Sequence, residues 1–351
     1  MFGRHTGRRG RLVGVAAITM AAGLVLAGCA GGDTSDGGAT DGGAASGDAL
    51  SITFLPKNLG NPYFDTSNAG GAEAIAEFGG TYQEVGPTEA SPTSQVSFIQ
   101  TAAQQGVNAL VLSANDPAAL CDALDEARSV DVKIVTFDSD TNPECRDLFI
   151  NQAEAEGIAR VQVEMIAEQI GGEGQIAILS AAANATNQNA WIELMQAELE
   201  ANWPNIELVD IVYGDDDDQT SFDRTAGLLQ TYPELKGIVS PTTVGIAAAA
   251  RYIQTSEFQG QVAVTGLGTP NQMREYVEDG TVTAFALWNP ADLGYLAAYA
   301  AQALASGSIT GAEGDTFDAG RLGEYTVGEN GTVLLGDPFV FTADNIADFN
   351  F

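Results

Sequence analysis

The chain has 351 residues, 45% of them apolar, enough for two domains with sizeable cores. Forty-seven Asp and Glu oppose fourteen Lys and Arg, and the net charge of −33 repels phosphate backbones, which argues against nucleic acid as a partner. The single histidine, His5, lies close to the N-terminus in a leader-like segment, which excludes a Ser–His–Asp or Cys–His site from the rest of the chain and weakens any enzymatic reading.

Residues 1–28 read as an export signal. Arg4, Arg8, Arg9 and Arg11 form a basic region, and Leu12 to Leu26 form an apolar stretch too short for an ordinary membrane span. Leu26-Ala27-Gly28-Cys29 then looks like a bacterial lipobox, so Cys29 is expected to carry lipid and become the new N-terminus. Residues 30–49 hold only Gly, Ala, Ser, Thr and Asp and read as a flexible tether, so 29–49 form a lipidated linker. The expected location is the extracytoplasmic face of the cell membrane.

From Leu50 onward, strand and helix patterns alternate. Strands are predicted at 51–55, 81–85, 108–113 and 133–138, and helices at about 63–78, 94–105 and 117–129. Residues 147–152 read as a further strand and 153–170 as a long helix. A second series follows, with strands at 175–180, 207–213, 236–240, 261–267 and 282–287. Its helices are predicted at 187–202, 219–231, 244–255 and 270–279, with another at 290–306. Such alternation predicts an α/β fold with two doubly wound parallel-sheet lobes. One lobe is expected to comprise 50–151 plus about 290–309. The other is expected to comprise 152–289 plus the Gly-rich tail 310–351, which has a short strand near 332–335. A cleft between two such sheets, at the carboxyl ends of the strands, is the natural ligand site.

The strand-end loops carry the candidate contacts. Lys57 and Asn58 follow the first strand, with Phe64 close behind. Asn115 ends the third strand and Asp138 the fourth. Asn187 and Gln188 open a helix, Thr242 and Thr243 follow a later strand, and Trp288-Asn289 ends the last of the series. A carboxylate, a cation and amides suit sugar hydroxyls, and aromatic rings suit the apolar C–H faces. Asp138 and Asn187 could instead be turn or helix caps, and Trp288 and Phe64 could be packing residues. Asp215 to Asp218 lack the spaced ligands of a calcium loop and read as a solvated loop and helix start. No metal or cofactor is expected. Cys121 and Cys145, an even pair in an exported chain, suggest a disulfide that staples the 139–146 loop; two free buried thiols are the alternative.

Several stretches together resemble the type I periplasmic-binding-protein family, the sugar receptors of ABC importers. They are Phe54-Leu55-Pro56-Lys57, Gly86-Pro87-Thr88-Glu89, Asp138-Ser139-Asp140-Thr141, Pro143-Glu144-Cys145-Arg146, Asn187-Gln188-Asn189-Ala190-Trp191, Thr269-Pro270-Asn271 and Leu287-Trp288. They are similar to the branch that holds the rhamnose-binding proteins and the autoinducer-2 receptor. The resemblance implies a multi-strand hinge, a monosaccharide ligand, a membrane permease as partner, a monomer and no enzymatic activity. It also implies ligand contacts at Lys57, Asp138, Gln188 and Pro241. At two further positions the autoinducer-2 receptor has Asp and Ala where this chain has Asn187 and Thr243. Those two departures put autoinducer-2 in doubt, and Asn58-Leu59-Gly60-Asn61-Pro62-Tyr63-Phe64 resembles the rhamnose-type receptors, so L-rhamnose is the expected ligand and autoinducer-2, for signal uptake, the alternative.

Overall fold

Short apolar runs become parallel strands, and the segments between them become helices that cover both faces of two sheets. The computed structural model describes residues 49–351. The leader, Cys29 and nearly all of the tether lie outside the described residues. Among the described residues, no helix is long and apolar enough to cross a membrane. No group of three or more His, Cys, Asp or Glu is placed to hold a metal ion there.

The first series runs β1 (Ser51–Leu55), α1 (Pro62–Glu77), β2 (Thr81–Glu84), α2 (Pro92–Gln105), β3 (Ala109–Leu112), α3 (Cys121–Arg128), β4 (Lys133–Phe137) and β5 (Leu148–Asn151). The second runs α4 (Ala155–Ile170), β6 (Gly174–Ser180), α5 (Thr186–Asn202), β7 (Ile206–Tyr213), α6 (Asp218–Thr231), β8 (Leu235–Ser240), α7 (Thr243–Gln254), β9 (Ala263–Gly266), α8 (Pro270–Glu278) and β10 (Ala284–Leu287). After α9 (Pro290–Ala305) come four short strands: β11 (Thr316–Asp318), β12 (Glu324–Thr326), β13 (Thr332–Leu334) and β14 (Phe339–Thr342).

The first sheet has the order β13-β5-β4-β3-β1-β2, with every pairing parallel. The second sheet has the parallel order β7-β6-β8-β9. A single bridge between Leu267 and Ala286 joins it to β10, which pairs antiparallel with β14. The tail therefore departs from the expectation that 310–351 belongs with the second lobe. Its β13 completes the first sheet beside β5, and only β14 joins the second. The short strand near 332 is present, but its partner lies far back in sequence and no local pattern announces it.

Strands covered on both faces are rich in apolar residues, and β3 and β4 are almost wholly buried. Helix α9 packs on β3, β4 and β5 and lies along α1. Glycine permits that approach. A Cβ on Gly70 would sit 2.0 Å from the carbonyl oxygen of Ala291, and one on Gly294 would sit 1.7 Å from that of Ser67. One buried cluster extends over α1, α9 and the second sheet, and another fills the space under α2 and α3. The chain passes between the sheets three times, after β5, after β10 and after β13, and these crossings form the hinge.

Helix α3 starts later than the Asp116-Pro117 signal predicts. Asp116 Oδ1 accepts from the backbone N–H groups of Ala118 and Ala119, which closes a turn, and the α-helix begins only at Cys121. Cys121 is paired with Cys145, their Cα atoms 5.2 Å apart across a separation of 24 residues. Closing such a loop is worth about 3 kcal/mol by the chain-entropy estimate. The Cys121→Ala/Cys145→Ala double variant should therefore melt several degrees below the parent in thermal denaturation. An unchanged melting temperature, with two titratable thiols in the denatured parent, would mean that the cysteines are not bonded.

Candidate functional site

The pocket lies where the strand-end loops of both sheets meet. Its walls are Lys57, Asn61, Tyr63, Phe64 and Asp138 from the first lobe, and Asn187, Gln188, Trp191, Asp216, Pro241, Thr242, Thr243 and Leu267 from the second, with Leu287 and Trp288 at a crossing. About 360 Å³ of space lies between these walls, part of it open to solvent.

Lys57 follows β1 and is buried, with 4% of its surface exposed. Its loop is held from below. Gln95 Nε2 donates to the carbonyls of Pro56 and Ser113, Gln95 Oε1 accepts from Asn115 N, and Asn115 Nδ2 donates to the Lys57 carbonyl at 3.0 Å. Thus the ammonium is aimed by a buried amide network rather than left to swing. Lys57 Nζ donates to Asn187 Oδ1 at 3.1 Å and lies 3.8 Å from Asp138 Oδ2, an attraction too long to be a hydrogen bond.

Asp138 follows β4 with φ of 62°, in the left-handed region that Asp tolerates better than most residues. That backbone turns the carboxylate into the pocket. Ser113 Oγ donates to its Oδ2 at 2.7 Å, and Asn187 Nδ2 lies 3.5 Å from its Oδ1. Lys57, Asp138 and Asn187 therefore form one polar group that spans both lobes.

Four aromatic rings form the apolar side. Tyr63 stands edge-on to Phe64 and Trp288, with centroids 5.1 and 6.1 Å away, and Trp191 lies 6.1 Å from Trp288. Asn61 sets the start of α1 by accepting from Tyr63 N, with Pro62 in the first turn. Trp288 Nε1 donates to the Tyr63 hydroxyl at 2.9 Å. Burial holds the Tyr63 phenol well above the usual tyrosine range, and the neighbouring Asp138 charge adds to this, so the ring remains a neutral hydroxyl donor.

Nine of the expected contacts line this pocket: Lys57, Phe64, Asp138, Asn187, Gln188, Pro241, Thr242, Thr243 and Trp288. Three do not. Asn115 supports the Lys57 loop, and Asn289 caps α9 by accepting from Ala291 N and Asp292 N. Asn58 is buried, and its Oδ1 has no hydrogen-bond partner among the described residues. Each of the three sits beside a pocket residue at a loop, so strand-end position alone does not separate support from lining. Gln188 turns its carbonyl inward on its own lobe, accepting from Ser180 Oγ and Ala181 N, which leaves its amide nitrogen for the pocket. Sequence reasoning missed Tyr63, Trp191 and above all Asp216, which the acidic run disguises. The arrangement offers hydroxyl acceptors, a cation and ring faces. It suits capture of a small polyol.

The sequence profile of the periplasmic binding protein domain matches residues 52–309. The chain belongs to the periplasmic-binding-protein family. Among solved periplasmic-binding proteins and their kin, it is similar to a sugar ABC transporter protein from Actinomyces odontolyticus. That match is 56% identical with a TM-score of 0.70, and it covers 86% of this chain and 98% of the other. It is also similar to an ABC transporter solute-binding protein from Clostridium phytofermentas solved with bound L-rhamnose. There the identity is 37%, the TM-score 0.83 and the coverage 86% and 98%. LsrB from Clostridium saccharobutylicum, in complex with AI-2, is 27% identical with a TM-score of 0.83, covering 86% of this chain and all of that one. These relatives are binding components of transporters, not enzymes.

Proposed function

We propose that this periplasmic-binding protein is the extracytoplasmic sugar receptor of an ABC importer, that its ligand is L-rhamnose, and that closure of the two lobes delivers the sugar to a membrane permease. The observation that carries the proposal is the polar group made by Lys57, Asp138 and Asn187 across the lobes, facing a four-ring aromatic wall. A 6-deoxy sugar needs both parts. Its hydroxyls require paired acceptors and donors, and its methyl group needs an apolar surface, which Phe64, Trp191 and Trp288 supply. The relative solved with L-rhamnose supports the choice, since it is 37% identical to this chain, against 27% for LsrB in complex with AI-2.

Autoinducer-2 is the second reading, supported by the similarity to LsrB. Asn187 and Thr243 weigh against it, because both change the hydrogen-bonding character of the pocket relative to the residues implied for that ligand. The lipobox at Cys29 supports a lipid anchor on the extracytoplasmic face of the membrane.

A thermal-shift screen against L-rhamnose, other monosaccharides, polyols and autoinducer-2 tests the assignment. Ligand at a hundred times its Kd stabilises by about 2.7 kcal/mol, which should raise the melting temperature by about 5 °C. A shift with autoinducer-2 and none with L-rhamnose would move the function to signal uptake. No shift with any sugar would refute the ligand assignment.

A further inference from the structure

The acidic run Asp215 to Asp218 divides into four different roles. Asp217 caps α6 by accepting from Thr220 N, and Asp218 pairs with Arg251 at 2.7 Å. Asp215 faces solvent. Asp216 alone turns inward and lines the pocket. Asp215 and Asp216 both have left-handed backbone, with φ of 55° and 51°, and Gly214 N and Asp215 N donate to the carbonyls of Ser180 and Ala181. The loop is thus tied to the end of β6 in a conformation that aims the Asp216 carboxylate at the cleft.

Its surroundings are unusual for an acid. Thr242 Oγ1 donates to Asp216 Oδ1, and that is the hydrogen bond it receives from side chains among the described residues. Lys57 faces it from the loop after β1, Asp138 from the loop after β4, Tyr63 from α1 and Asp215 from its own loop. Among the described residues, the pocket therefore holds two carboxylates, one from each lobe, against one ammonium. Burial raises the proton affinity of Asp216; the Thr242 hydrogen bond and Lys57 oppose this, while Asp138 and Asp215 add to it.

We infer that Asp216 is a specificity-determining residue, accepting ligand hydroxyls from the second lobe as Asp138 does from the first. The inference rests on the reading of the pocket as a sugar site. A neutral polyol can donate to both carboxylates. A sugar acid or sugar phosphate adds a third negative charge to a pocket with a single cation and is rejected. A deoxy sugar lacking the matching hydroxyl leaves a carboxylate oxygen unpaired in a closed site, so it binds poorly.

Calorimetric titration of the parent, Asp216→Asn and Asp216→Ala with L-rhamnose and its 2-, 3- and 4-deoxy analogues tests this. Asp216→Ala should weaken L-rhamnose by about 30-fold, as expected for a hydrogen bond to a charged group. One deoxy analogue, already weak on the parent, should lose little further on Asp216→Ala. An equal loss for every sugar would show only that Asp216 shapes its loop, and would overturn the inference. If the parent ignores L-rhamnose, the ligand reading fails separately, and a sugar-free comparison still decides the placement of Asp216. A carboxyl whose folded proton affinity is raised destabilises at high pH and ceases to do so as pH falls. Asp216→Asn should thus melt above the parent near about pH 8 and level with it near about pH 4. A difference that does not vary with pH would place the carboxylate outside the closed pocket and overturn the inference.

Discussion

Replacing Asp138 with alanine should abolish sugar capture while leaving the fold in place. Among the described residues, the carboxylate is the only charged acceptor that the first lobe contributes to the pocket, and it is fixed on three sides. The left-handed backbone aims it, Ser113 Oγ holds Oδ2, and Asn187 approaches Oδ1 from the other lobe. Removing it deletes the acceptor for ligand hydroxyls and half of the interlobe polar group. Loss of a buried charged anchor of this kind typically costs about 3 kcal/mol or more, so affinity should fall by at least about 100-fold. Stability falls too, since Lys57 loses its nearby counter-charge and is almost fully buried. Asn187 Oδ1 still accepts from the ammonium, which keeps the variant folded. Calorimetry with L-rhamnose and a circular-dichroism melt check the two parts. Parent-like affinity in a folded Asp138→Ala protein would remove this residue from the site.

The largest stability effect is expected from Gly294→Val. A Cβ at that position meets the Ser67 carbonyl at 1.7 Å, and the obstacle is backbone on a packed helix, which cannot move aside as a side-chain tip can. Overpacking of this severity should cost about 3 kcal/mol or more. The melting temperature should fall by roughly 10 °C, or the chain should fail to accumulate in soluble form. The damage reaches the pocket as well. Helix α1 begins beside Asn61, Tyr63 and Phe64, and α9 begins just after Trp288, so forcing the two apart displaces the aromatic wall. A Gly294→Val protein that melts with the parent would mean that α1 and α9 do not pack this closely.

The alternating α/β architecture was legible because each element carries its own period and its own punctuation. Strands β1, β4 and β8 stop just before Pro56, Asp138 and Pro241, and helices α1, α2, α8 and α9 open at Pro62, Pro92, Pro270 and Pro290. The pocket was legible in part for a different reason. Lys57, Asp138, Asn187, Gln188, Pro241 and Thr243 were named through resemblance to a binding family, and all six line it. Asn115 was chosen for its strand-end position, yet its amide is used up holding the Lys57 carbonyl, and only three-dimensional hydrogen bonding reveals that. Asp216 was hidden by its neighbours. Four consecutive acids read as solvated surface, and nothing local distinguishes the one that a left-handed turn sends inward. The place of β13 was equally out of reach, because a three-residue strand gives no register and its partner is set by long-range packing.

That late strand has a consequence in time. The first sheet is closed by Thr332–Leu334 and the second by Phe339–Thr342, and Arg146 reaches across 184 positions to the carbonyl of Asn330. Neither lobe can be finished as an independent early unit during synthesis, since both wait for the last twenty residues to emerge. Contacts this distant in sequence form slowly because loop closure precedes their reward. Both lobes therefore stay unfinished until residues 332–342 have emerged. A chain cut short by those twenty residues lacks the closing strand of both lobes at once.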